Sequence, residues 1–130
     1  MIVDTSAVLA VLLDEGEADD FTELIVKSDV CSMSAVSFVE ASIIAESNGG
    51  DGGVRQLDAF LRMAGITIEP VNEEHALAAR QAYSDYGKGR HAAGLNFGDC
   101  FSYALAKVSG EPLLFKGSDF RKTDVAAALT

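Results

Sequence analysis

Four carboxylates in this 130-residue chain stand among apolar neighbours rather than on polar stretches. Asp4 follows Ile2-Val3. Glu40 lies in SFVEASII, one helical turn from both Val36 and Ile44. Asp99 lies in NFGDCFSYALA at the head of an apolar run, and Asp119 in LLFKGSDF. A carboxylate beside apolar residues is costly to bury unless something pairs with it. Few lysines or arginines stand close in sequence to Asp4, Glu40 or Asp99. Carboxylates gathered in one pocket repel one another, which raises at least one pKa. A divalent cation removes that conflict, and oxygen ligands with water suit Mg²⁺ or Mn²⁺. Such an ion serves phosphodiester chemistry by holding a phosphate oxygen and supplying a hydroxide-like nucleophile. No Ser-His-Asp set is readable, and neither His75 nor His91 sits in a motif.

Each acid also has a local use that involves no chemistry. Asp4 and Asp99 are good helix N-caps. Glu40 can snorkel to solvent, and Asp119 can close an Asx-turn. Spacing alone does not bring the four together.

The elements that would position them alternate short β-like runs with longer helical ones. Ile2-Val3 opens the pattern, and Ser6–Leu13 and Ala18–Lys27 read as helices. Val30–Met33 is a short strand, and Ser34 caps the helix AVSFVEASIIAES. Asn48–Gly53 reads as a turn before a helix over Val54–Met63. Ile66–Val71 is a strand, and Asn72 caps a helix to Tyr86. A loop over Gly87–Gly94 precedes a helix over Asn96–Val108. Pro112–Phe115 is a strand, Lys116–Phe120 a loop, and Thr123–Val125 a last short strand. Strands separated by helices imply a parallel sheet covered on both faces. No repeat or linker divides the chain, so residues 1–130 read as one three-layer α/β domain. In such sheets ligands bind beyond the carboxyl ends of the strands, where Asp4, Glu40 and Asp119 would meet.

The hydrophobic fraction of 48% supports a real core without staples. Cys31 and Cys100 form no CxxC pair and read as small core residues. The opening residues lack a basic n-region and their apolar run is too short to span a bilayer, so a cytoplasmic protein with no membrane contact is expected. The net charge of -10 argues against a generic nucleic-acid binder, but it is unevenly spread. Up to Asp29 the acids Asp4, Asp14, Glu15, Glu17, Asp19, Asp20, Glu23 and Asp29 face Lys27 alone. From Lys88 to Lys122 the sign reverses, with Lys88, Arg90, Lys107, Lys116, Arg121 and Lys122. A polyanion can dock on that second region if the acidic part faces elsewhere. Lys88, Arg90, Lys116, Arg121 and Lys122 are the candidate phosphate contacts.

At these residues the chain resembles the PIN-domain ribonucleases, specifically the VapC toxins of toxin–antitoxin pairs. MIVDTSAVLA resembles the family's opening strand and first acid, and SAVSFVEAS its second-acid motif. LNFGDCFSYALAK resembles the third and GEPLLFKGSDFRKTDV the fourth, in the right order over essentially the whole chain. The resemblance implies a parallel five-stranded sheet of order 3-2-1-4-5 with helices on both sides. It implies Mg²⁺-dependent endoribonuclease activity (Mn²⁺ substituting), with metal binding by Asp4 and Asp99. Glu40 would complete the site, directly or through water. Many relatives carry two acids in the last loop. Here Gly117 stands at the first position, leaving Asp119 as the fourth catalytic candidate. Thr5 and Ser6 match residues that orient the first acid or the substrate, or simply start a helix.

The resemblance further implies RNA as substrate, a homodimer, and a VapB-type antitoxin that seats a helix or tail near the site. An arginine of that partner would compete with the metal for the acids. Phe21, Leu24 and Ile25 are either part of that interface or core. Two other readings stand beside this one. An α/β phosphatase or phosphotransfer domain would want Asp-x-Asp after the first strand, where this chain has Asp4-Thr5-Ser6. A non-catalytic PIN-like interaction module would be expected to have lost one of its acids.

Overall fold

The computed structural model describes residues 1–129. Its elements run β1 (Ile2–Val3), α1 (Thr5–Leu12), α2 (Ala18–Lys27), β2 (Cys31–Ser34), α3 (Ala35–Ala64) and β3 (Ile66–Glu69). They continue with α4 (Glu73–Tyr86), α5 (Phe97–Ser109), β4 (Leu113–Leu114) and a 3-10 turn (Phe120–Lys122). All strand pairs are parallel, in the order β3-β2-β1-β4.

Strand alternation sends successive side chains to opposite faces. Val3, Met33 and Leu114 point to the side covered by α1, α2 and α3, packing with Val8, Phe21, Ile25, Leu57 and Leu61. Ile2 and Leu113 point to the other side, packing with Ala79, Leu95, Tyr103 and Ala104 of the α4–α5 layer. The sheet is therefore covered on both faces, apart from the edge strand β3, where Thr67 and Ile68 are exposed. Phe21 and Ile25 are 1% and 3% exposed, which assigns them to the core rather than to a partner surface. Both cysteines are free and buried, as expected. No helix among the described residues is long and apolar enough to cross a membrane.

Two sequence expectations are corrected. Among the described residues the sheet has four strands, not five. Thr123–Val125 is irregular, and the fifth position holds only one parallel bridge, Leu113 to Ala127. Leu113 N donates to Ala126 O and Ala128 N to Leu113 O, so the chain passes beside β4 for a single residue pair. The break expected between two helices over Asn48–Gly53 is present but confined to Gly50 (φ 58°, ψ −146°), where two helices meet within α3. The third strand ends at its proline as expected, stopping at Glu69 before Pro70.

The kink depends on glycine twice. Gly50 takes a left-handed φ, and a Cβ on Gly53 would drive into the Ala45 carbonyl. Gly49, by contrast, is helical with open space around it. Gly49→Ala should therefore stabilise by about 0.5–1 kcal/mol, the helix-propensity gain. Gly53→Ala should destabilise, and urea unfolding of the two variants reads the opposite signs.

Candidate active site

Because every strand runs the same way, the segments after β1, β2 and β4 emerge at one edge of the sheet. Asp4 follows β1, α3 with Glu40 follows β2, and the loop to Asp119 follows β4. α5 brings Asp99 to the same place.

Asp4 is the fixed point. It is 3% exposed and serves as the N-cap of α1. Its Oδ2 accepts from Ser6 N at 3.0 Å and from Ser6 Oγ at 2.7 Å. Its Oδ1 accepts from Ser102 Oγ at 2.5 Å. Ser102 Oγ lies 2.9 Å from Ser37 Oγ, and both serines are fully buried. Since Ser102 gives its proton to Asp4, Ser37 is the donor to Ser102. Thr5, also buried, donates to Ser37 O at 3.1 Å and so ties α1 to α3. Ser6 Oγ in turn accepts from Lys116 N at 3.0 Å, which attaches the loop after β4.

Asp99 is the third residue of α5 and completes a capping box. Asn96 Oδ1 accepts from Asp99 N at 2.9 Å, and Asp99 Oδ2 accepts from Asn96 N at 3.0 Å. Its local capping use is therefore real, with Asn96 as the cap itself. Asp99 is nevertheless electrostatically coupled to the other acids. Burial pushes its carboxyl up to about 6, and the charges of Asp4, Glu40 and Asp119 push the same way against the Asn96 N–H. Glu40 is half-buried on α3 and lies against Gly98 of α5, where a Cβ would stand 2.5 Å from its Oε2. Asp119 is exposed and begins the 3-10 turn with no side-chain capping bond. The fold thus draws the four acids into one electrostatic neighbourhood, which spacing alone did not establish.

The basic candidates lie differently from expectation. Lys116 Nζ is 3.1 Å from Glu15 and 3.6 Å from Glu17, whose hydrogen bonding and charge raise its pKa. The N-terminal acids therefore do not all face away from the basic region. Arg121 donates to Leu129 O at 2.8 Å and stacks over Phe115, 5.4 Å from the ring centre. Ser37, Ser102 and Gly98 were not anticipated. Serines in apolar helices read as small filler, and a glycine's clearance depends on which helix crosses it.

Among the described residues no three acidic, histidine or cysteine side chains close into a ready-made metal cage. The donor set is nonetheless all-oxygen and repulsive, with no ion-pair partner for Asp4, Glu40, Asp99 or Asp119 among the described residues. That fits a hydrated Mg²⁺ or Mn²⁺, which is normally held by one or two carboxylates and keeps several waters.

Two outcomes follow from this geometry. Asp99→Asn keeps the acceptor for Asn96 N–H but removes the charge. Between pH 4 and 6 the folded wild type holds a proton here that the unfolded chain has released. Its stability from this group therefore falls across that window, and the whole cost is present above pH 6. In chelator at pH 7.5 Asp99→Asn should be more stable by about 1 kcal/mol, allowing for solvent screening of a partly exposed group. Urea melts at pH 4 should show that advantage gone. Gly98→Ala should leave the melting temperature unchanged or higher, since alanine favours the helix and only the flexible end of Glu40 must move. Displacing Glu40 should still cost about tenfold in kcat, the scale of a perturbed positioning group. Full activity in that variant would show that Glu40 does not need its place against Gly98.

The model of the PIN domain matches residues 1–126. A ribonuclease VapC of Mycolicibacterium smegmatis is 54% identical over 127 residues, 98% of each chain. Ribonuclease VapC30 of Mycobacterium tuberculosis is 49% identical over 97% of this chain and 96% of its own. Among solved structures, the Mycobacterium tuberculosis toxin VapC20, described as cleaving the sarcin–ricin loop, superposes with a TM-score of 0.78 at 17% identity. That match covers 96% of this chain and 95% of the toxin. A toxin–antitoxin complex from Klebsiella pneumoniae superposes with a TM-score of 0.71 at 14% identity, over 95% and 92% of the chains. With its opening acid, its serine-braced carboxylate and its acid-headed α5 in place along that full-length match, the chain belongs to the PIN-domain family and, within it, to the VapC ribonuclease toxins of toxin–antitoxin systems.

Proposed function

We propose that this VapC ribonuclease hydrolyses RNA internally with a divalent cation held by Asp4 and Asp99, Glu40 completing the site. The observation that carries this is the unpaired carboxylate cluster, in which Asp99 is raised to about 6 by burial and by its three acidic neighbours. When bound there, Mg²⁺ or Mn²⁺ supplies charge neutralisation at the phosphate and lowers the pKa of water. Asp4, immobilised by Ser6 and Ser102, sets the position of the cluster. Asp99 is presented rigidly by the α5 capping box. Glu40 has room to adjust because Gly98 leaves space for its carboxylate. Asp119, on the exposed loop after β4, is placed to close the rim. Ser6 orients Asp4 and joins it to that loop.

The partners follow the same reading. The chain pairs with a cognate VapB-type antitoxin, and an arginine of that partner competes with the cation for the acids. A homodimer is supported by the outward stripe of α3. Val39 and Ile43 are 53% and 59% exposed beside an apolar groove of about 550 Å³ that also includes Val36, Ile44, Glu40 and Phe97. Lys88, Arg90 and Lys122 are exposed candidates for RNA phosphates. Lys116 and Arg121 would have to leave their present partners to join them.

Cleavage of single-stranded or loop RNA should require Mg²⁺ or Mn²⁺ and leave a 3′-hydroxyl and a 5′-phosphate. Asp4→Asn should remove most activity while the chain stays folded by circular dichroism. Mn²⁺ should raise the melting temperature of the wild type more than that of Asp99→Asn. Undiminished cutting in EDTA, or 2′,3′-cyclic phosphate ends, would refute the metal mechanism.

A further inference from the structure

We propose that the groove between α4 and α5 is a nucleotide subsite, taking an unpaired RNA base with its phosphates on Arg80 and Lys88. This rests on the ribonuclease reading above and extends it to how substrate is held. The groove measures about 590 Å³ and is lined by Ala76, Ala79, Tyr83, Phe97, Cys100 and Phe101, with Asn96, Arg80 and Lys88 on its polar edge. It ends at the head of α5 at Phe97, which also lines the α3 groove that contains Glu40.

The charge of this groove is opposite in sign to that of the chain as a whole. The chain carries 20 acidic against 10 basic residues, yet both charged residues lining the groove are cations. Lys27, Lys107 and Lys116 are each paired with carboxylates. Arg80 and Lys88 have no such partner within 4 Å among the described residues, and neither do Arg55, Arg62, Arg90, Arg121 and Lys122 elsewhere. Such cations are free to meet a phosphate backbone.

The apolar part has the shape of a stacking platform. Phe97 is 73% exposed and Tyr83 39%. An aromatic ring that exposed, on the first turn of a well-capped helix, is not held out by core packing. Phe97 is braced by Phe101, ring centres 5.0 Å apart and tilted 59°. Tyr83 is braced by Arg90, whose guanidinium lies 5.5 Å from the ring centre, and by its hydroxyl, which donates to Lys88 O at 3.2 Å. Aromatic faces beside unpaired cations are the combination that binds single-stranded nucleic acid, since every base has a π-face to stack.

The test measures binding and cleavage separately. A fluorescein-labelled 12-nucleotide single-stranded RNA is titrated onto Asp4→Asn protein, with and without Phe97→Ala or Lys88→Ala. Steady-state cleavage is followed in the otherwise wild-type background. Phe97→Ala should weaken binding about tenfold and raise KM by the same factor, with kcat within about twofold. A probe carrying abasic sites should bind the parent weakly and lose little more on Phe97→Ala. Lys88→Ala should lower the salt slope of binding by about one. Unchanged Kd and KM in both variants, with wild type still cutting, would overturn the subsite and leave the ribonuclease reading intact. Normal RNA binding by Phe97→Ala with loss of dimer by light scattering, or of antitoxin binding, would assign the groove to a protein and likewise overturn it. A wild type that cuts no RNA would instead remove the reading on which the subsite rests.

Discussion

The organising constraint is a buried anion with no cation beside it. Asp4 sits at the end of β1, almost wholly out of water, with no basic side chain within ion-pair distance among the described residues. Such a charge survives only where fixed dipoles replace its hydration. Here those dipoles are the Ser6 N–H, the Ser6 hydroxyl, the Ser102 hydroxyl and the amino end of α1. Each donor belongs to a different piece of scaffold or reaches one. Ser6 carries the bond to the loop after β4, Ser102 anchors α5, and Ser37 behind Ser102 anchors α3. The requirement to solvate one carboxylate therefore sets the mutual positions of the elements that hold the other three.

The cluster so assembled works against the fold. Burial, and after it the neighbouring acids, raise Asp99, and above its pKa that cost is present in full. A protein selected only for stability would place a lysine among them or neutralise one. This chain has a lysine close by in Lys116, but its side chain is held by Glu15 and Glu17 while only its backbone N–H serves the site. The acids are thereby kept available to something that arrives from outside, a divalent ion or a guanidinium. Both satisfy the same unpaired charge, so occupancy by one opposes the other.

Much of this was legible in the sequence for a simple reason. Asp4, Glu40 and Asp99 lie next to apolar residues, and a carboxylate in that setting announces either a cost or a use. The parallel sheet was equally readable, since strands separated by helices imply it. What escaped depends on pairs far apart in the chain. Ser37 and Ser102 are separated by 65 positions, and nothing in either local string marks one as the other's partner. The Asn48–Gly53 run reads as a turn because glycines are costly in helices. The packing of Gly53 on Ala45 lets the helix resume after one kinked residue. The expected last strand misplaced its contact with β4. Only Ala127 bridges to Leu113, so the fifth position is occupied without forming a ladder.

The four acids are held by very different means, and the difference is functional. Asp4 is locked by three donors and cannot move without breaking buried hydrogen bonds. Asp99 is locked along the helix by its capping box yet keeps an exposed flank. Glu40 has no hydrogen-bond partner among the described bonds that would fix it; its carboxylate lies in the space that Gly98 leaves. Asp119 stands free on a loop. This gradation runs from the sheet edge outward, from a rigid reference to groups able to adjust. Rigid placement of one ligand costs nothing at the moment of reaction, which is the advantage of preorganised charge. Adjustable outer ligands let the same site accept a hydrated ion, a phosphate that displaces some of its water, and the departing product. A cluster with every acid braced like Asp4 would fit only one of these states. A cluster with every acid as loose as Asp119 would have to order itself at each turnover.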